Sequence, residues 1–195
     1  TLVTFLDASP SAQLALAEIE RLGVRVLSVP FHRPAAVVRA AAALMTVRPL
    51  QVALFAAPAL RRVVIDVLAT EHYDVIHVQL ARALPLVPED VRVPVFVDFV
   101  DALSLNMRRR AARDRWPFSW MSGIDARRLY AYEQDACARV SGASVVSIAD
   151  RRAMGDPARL GINGNGVDVA DFPIAHGVRD SQGLVFTGKL RVTEE

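Results

Sequence analysis

Apolar positions along this chain follow two periods, and the two alternate. Leu2-Val3-Thr4-Phe5-Leu6 is a short, nearly continuous apolar run, as a strand buried in a parallel sheet requires. Ser9-Pro10 then supplies a helix N-cap and a first-turn proline; a helix over 11–22 follows, and Gly23 is placed to end it. A strand over 24–29 completes a βαβ unit. Pro34 opens an alanine-rich helix to about residue 45. A further helix over about 59–69 sets Leu60, Val63, Val64, Val67 and Leu68 on one face.

The second half repeats the theme. Strands are predicted over 75–78, entered through Tyr73-Asp74, and over 95–97, entered through Pro94 and ending at Asp98. The arginine-rich stretch 107–115 reads as a solvated helix and its exit. A long helix over 123–140 spaces Leu129, Tyr132, Ala136 and Val140 as a core-facing stripe. A strand over 144–147 and a short helix over 150–154 follow. Asn163-Gly164-Asn165-Gly166 is expected to be a loop, since alternating Asn and Gly favours positive φ. Residues 172–183 look like a linker and 184–188 like a new strand. The expected fold is therefore α/β, a Rossmann-like parallel sheet with helices on both faces. It divides into a domain over 1–173, a linker over 174–183 and the first strand of another domain over 184–195.

Composition changes this picture little. At 195 residues, 52% hydrophobic and 23% charged, the chain has ordinary globular content. Its net charge is +2, with arginine far above lysine and a pI near 9.1. No basic stripe with interleaved aromatics stands out along the chain, so nucleic acid is not an expected partner. The lone Cys137, inside a helical pattern, reads as a small buried hydrophobe. Arg39, Arg48 and Pro49 interrupt the most apolar stretch, 35–60, which argues against a membrane-crossing helix. Domains rarely open abruptly in a core strand, so an initial strand is expected before Thr1, and its loss would leave an aggregation-prone sheet edge.

Candidate chemistry follows from topology. Ligands of open α/β sheets bind outside the carboxyl ends of the strands. That rule selects His77 and Gln79, with Arg82 just beyond, then Asp98 and Asp101, then Ser147 and Asp150, and last Gly188 and Lys189. His77, in an apolar strand, suits a satisfied core histidine and a pocket group equally well. Asp98 and Asp101 suit a sugar hydroxyl or a general base, and either suits the cap of a helix starting near Ala102. Gly188-Lys189 suits a diphosphate: glycine admits the backbone and lysine supplies charge. No zinc spacing, no Gly-x-Ser-x-Gly elbow and no Gly-x-Gly-x-x-Gly fingerprint occurs.

Read in order, several segments resemble the acceptor domain of family-four-type glycosyltransferases with the GT-B fold. Tyr-Asp-Val-Ile-His-Val-Gln at 73–79 resembles the strand before the acceptor pocket of those enzymes. Pro-Val-Phe-Val-Asp-Phe-Val-Asp-Ala-Leu-Ser at 94–104 resembles a segment of a subgroup linked to exopolysaccharide assembly. Tyr132-Glu133 and then Val-Val-Ser-Ile-Ala-Asp at 145–150 match a further progression. Asn165-Gly166-Val167-Asp168 with Phe172-Pro173 is similar to the element before the interdomain linker, and Leu-Val-Phe-Thr-Gly-Lys-Leu at 184–190 to the first donor-domain strand.

The resemblance implies a nucleotide-sugar donor, a glycan or lipid-linked acceptor, retention of anomeric configuration, no cofactor and no obligatory metal. It implies catalytic roles for Asp98 or Asp101, where relatives often carry histidine; acceptor contacts from His77, Gln79 and Arg82; and donor contacts from Asn165, Gly188 and Lys189. The first strand with its glycine-rich loop, and the donor domain's paired glutamates, would fall outside the 195 residues, so the chain alone is expected to be inactive. The implied location is cytoplasmic, with peripheral membrane contact through the apolar helix near 35–47 and Arg33, Arg39 and Arg48. Alternatives are a nucleotide-sugar epimerase-like enzyme on the same scaffold, or a non-catalytic α/β sugar-binding module.

Overall fold

Parallel pairing organises the chain, as the alternating periods predict. The computed structural model describes residues 1–6 and 9–170. In order these form β1 (Leu2–Leu6), α1 (Pro10–Arg21), β2 (Val26–Pro30), α2 (Arg33–Ala43), α3 (Leu50–Phe55), α4 (Pro58–Thr70) and β3 (Ile76–Gln79). A 3-10 helix (Ala81–Leu86), β4 (Val95–Val100), α5 (Leu103–Ala111), α6 (Phe118–Arg139), β5 (Gly142–Val145), α7 (Ile148–Ala153) and β6 (Leu160–Ile162) complete them. Thr1–Gly164 is one compact unit, and Asn165 opens a second. The expected linker over 174–183 and strand over 184–188 lie outside the described residues.

Local signals act where the sequence places them. The Ser9 hydroxyl accepts the Ala12 amide at 3.4 Å, Pro10 occupies the first turn of α1, and Gly23 ends the helix at φ 81°. Gly164 and Gly166, by contrast, do not take positive φ; among described glycines only Gly23 and Gly155 do. The 163–168 segment is irregular without being left-handed. Three elements were not foreseen: α3, six residues bracketed by Pro49 and Pro58; the 3-10 helix Ala81–Leu86; and β6, a three-residue strand defined by its pairing with β5.

The strands are all parallel but form two sheets. One is β1-β2; the other has the order β3-β4-β5-β6. The principal core lies on the second. Val78, Val97, Phe99, Val145 and Leu160 from its strands meet Ala136 and Cys137 from α6, Val140 just after it and Met154 after α7. Burial pushes the Cys137 thiol up to about 11, consistent with an inert packing role. Asp125 ties α6 to α3 by accepting the Leu50 and Gln51 amides at 2.6 and 3.4 Å.

Between the sheets lies a cleft of about 460 Å³ lined by all of 1–5 and all of 75–80. Alternate strand residues point to opposite faces, so a cavity touching every residue lies against strand edges. Thus β1 and β3 face each other with unpaired edges and share no strand pairing. They run the same way. The Tyr73 and Thr1 hydroxyls are hydrogen-bonded at 3.0 Å where both strands begin, while Phe5 and Arg82 meet Phe55 where both end. Leu60, Val64, Val67 and Leu68, the predicted stripe of α4, also line the cleft.

Candidate functional site at the carboxyl edge

Two adjacent strands of the larger sheet end in a backbone conformation that β-rich sequences avoid. Leu80, just after β3, has φ 71°, and Val100, the last residue of β4, has φ 62°. For a β-branched residue this is a strained outlier. The cause is visible in the hydrogen bonds. The β4–β5 register shifts between Asp98 and Val100, and the Asp101 amide donates to Phe99 O at 2.8 Å. That closes a tight three-residue γ-turn around Val100. Asp98 Oδ1 holds the turn by accepting the Val100 amide at 3.1 Å and the Ser144 hydroxyl at 2.9 Å.

Gln79 and Asp98 are paired residues across β3 and β4, so both fall at one carboxyl edge, with Asp101 one turn beyond. Gln79 and Asp101 are exposed, and Asp98 is half-buried. Neither Asp98 nor Asp101 caps the next helix, which corrects one sequence-based option. The Ala102 amide goes to Asp150 Oδ1 at 3.1 Å and the Ser104 amide to Glu133 Oε1 at 3.0 Å. Burial raises the Glu133 carboxyl above its ordinary range against the pull of the Ser104 hydroxyl and the Ser104 and Leu103 amides. Asp150, also bonded to the Ser147 hydroxyl, is buried and structural. Asp101 makes no side-chain hydrogen bond or ion pair among the described residues and is the carboxylate left open to a ligand.

His77 is not a core histidine. Its ring is exposed and lies flat against Phe96, centroids 5.8 Å apart, in the middle of β3 on the same face as Gln79. Arg82 sits at the end of the cleft, its guanidinium 4.4 Å from the centre of the Phe55 ring. Phe55 stacks on Phe31 at 5.4 Å, and Phe5 meets Phe31 edge-on at 5.1 Å. Burial lowers the Arg82 pKa from its ordinary value, yet guanidinium stays charged at any working pH. An aromatic platform with a cation therefore closes the carboxyl end of the cleft, and nothing in a linear reading joins Phe5, Phe31 and Phe55. A usable signal existed, because Phe5 falls near the end of the first predicted strand and Phe31 two residues beyond the second.

The structure thus brings Gln79, Asp98 and Asp101 to one edge and sets Arg82 beside the cleft with His77 along β3. Asn165 begins the second unit, and Gly188 and Lys189 lie outside the described residues. Among the described residues no group of three or more His, Cys, Asp or Glu is placed to hold a metal ion, and no helix is long and apolar enough to cross a membrane. The exposed Gln79 amide and the half-buried Arg82 guanidinium line the cleft with Phe5 and Phe55, a combination suited to a hydroxyl-rich ligand with apolar ring faces. No family model, curated protein or solved structure matches the chain.

Proposed function

We propose that this chain is the acceptor-side part of a retaining glycosyltransferase of the GT-B type, moving a sugar from a nucleotide-sugar donor to a glycan or lipid-linked acceptor on the cytoplasmic side of a membrane. The observation that carries the reading is the pair of left-handed residues, Leu80 and Val100, on adjacent strands. They gather Gln79, Asp98 and Asp101 at the carboxyl edge of a parallel sheet, where such folds bind ligands. Ordered segment likeness from Tyr73 to Asp168 supports the class. Asp101 is the candidate base or acceptor-hydroxyl partner, with Asp98 positioning its turn; no metal or cofactor is required in this reading.

The cleft supports a finer fold reading. In it the two sheets are halves of one Rossmann-like sheet, with a further parallel strand seated between β1 and β3 and hydrogen-bonded to both edges. That strand is not among the described residues, and in this reading the chain alone binds acceptor without turning over.

An NMR titration with oligosaccharide acceptors tests the site. Saturable shifts are expected at the Gln79, Asp98 and Asp101 amides and are expected to vanish in Asp101→Ala. Shifts confined to other surfaces would overturn the acceptor assignment. Sustained sugar transfer by the 195-residue chain would overturn the division of labour instead.

A further inference from the structure

The corner between α5 and α6 carries a surface that the folding core does not use. Both tryptophans of the chain lie there, with a phenylalanine between them. Trp116 is 81% exposed, Phe118 63% and Trp120 58%. Three large aromatics left to solvent within five residues are an unusual concentration, since such rings normally bury most of their area. Beside Trp120 lies an open depression of about 780 Å³, also lined by Arg108, Ile124, Arg127 and Tyr130.

The charge around these rings is of one sign. Between residues 107 and 128 there are seven arginines and two aspartates, Asp114 and Asp125. Asp125 is buried on the α3 amides, and Asp114 is held by Arg110 at 3.4 Å. Arg109, Arg113, Arg115 and Arg127 are exposed and have no side-chain partner among the described residues. From Arg108 to Trp120 the basic groups and aromatics follow one another along the chain, and the fold adds Arg127 beside Trp120.

We infer that the α5–α6 corner docks on an anionic bilayer surface, with Trp116, Phe118 and Trp120 entering the headgroup layer and Arg109, Arg113, Arg115 and Arg127 meeting lipid phosphates. Amphipathic aromatic rings favour that layer, and exposed arginines add attraction to anionic lipid. This places the contact on a different surface from the helix near 35–47 first expected to make it, where Val37, Val38, Met45 and Val47 are also exposed. Arg39 of α2 donates to Ala53 O at 3.3 Å and Leu54 O at 2.9 Å, closing the end of α3, and Ala36 and Ala43 are buried. The contact does not depend on the glycosyltransferase reading.

The experiment uses the whole chain with vesicles of phosphatidylcholine alone or mixed with phosphatidylglycerol. Because both tryptophans lie in the patch, their fluorescence reports this surface alone. A blue shift is expected with the anionic vesicles and not the neutral ones, reversed by high salt. In sedimentation, Arg109→Gln/Arg113→Gln/Arg115→Gln weakens binding by about a hundredfold, near fivefold per arginine. Phe118→Ser weakens it with unchanged circular dichroism, while Val37→Ser/Val38→Ser on α2 leaves it intact. No blue shift at low salt would overturn the inference, as would loss of binding only in the α2 variant. A stronger response to single-stranded oligonucleotide would assign the surface to nucleic acid. Dimerisation abolished by Trp116→Ser would assign it to a second copy; either outcome overturns the lipid assignment.

Discussion

The two sheets are built from equally apolar strands and are held very differently. In the β3–β6 sheet, Val78, Val97, Phe99, Val145 and Leu160 are buried beneath α6, the 3-10 helix and the end of α7. In the β1–β2 sheet no described residue before Ala36 is buried, and α1 buries none. Leu-Val-Thr-Phe-Leu in β1 and Val-Phe-Val-Asp-Phe-Val in β4 differ little in hydrophobicity. They differ in neighbours: β4 pairs on both edges, whereas β1 pairs on one and faces the cleft on the other. A central parallel strand becomes core only when both edges and both faces are covered.

The sharpest way to break this comparison is to remove one phenylalanine from each sheet. Phe99→Ala should cost about 3–5 kcal/mol in urea unfolding, and Phe5→Ala, on a half-buried ring, less than half of that. Equal losses would show that the β1 side is as well packed as the β4 side. Hydrogen exchange sharpens the same contrast, because protection follows local stability. Amides of β1 and β2 are expected to exchange at least about tenfold faster than those of β4 and β5. Uniform protection would remove the distinction.

A smaller effect concerns the strained edge. Val100→Gly should raise stability, or leave it level, within about 1 kcal/mol, because glycine adopts φ 62° without strain. At Val97, an extended and fully buried position, the same change should be strongly destabilising. A Val100→Gly loss as large as that at Val97 would refute the strain at the γ-turn.

The smallest effect is a pH slope in the better-packed half. Burial raises the folded-state pKa of Glu133, so the folded chain holds this proton more tightly than the unfolded chain. Its contribution is complete below the unfolded-state value and is lost as pH rises through the raised folded value. Glu133→Gln, which keeps an acceptor for the Ser104 amide, should flatten the decline in urea midpoint as pH rises above the ordinary glutamate value of 4.5. An unchanged slope would show that Glu133 titrates normally.

Much of this was legible along the chain, for local reasons. Ser9, Pro10 and Gly23 mark the ends of α1 by backbone chemistry that acts within a few residues. Leu129 and Ala136 are buried on α6 as their spacing requires, and Val140 is buried just past its end. The helix nevertheless begins at Phe118 rather than near 123, since Trp-Pro-Phe-Ser-Trp carries no helical period. Site candidates were legible through one topological rule, which selects Gln79, Asp98 and Asp101 without knowledge of their contacts. The roles of Asp150 and Glu133 as acceptors for the α5 amides were not legible, because each partner lies more than twenty residues away.

By itself, then, the sequence determined the alternation of strands and helices, the parallel pairing it entails and the strand ends where polar groups collect. Those follow from periodicity, caps and the right-handed crossover, which are local or nearly so. Tertiary structure alone decided that the pairing breaks between β1 and β3, that Val100 is forced left-handed, and that Trp116, Phe118 and Trp120 are left exposed. Each depends on which partners a residue meets across the fold, and neither propensity nor period carries that information.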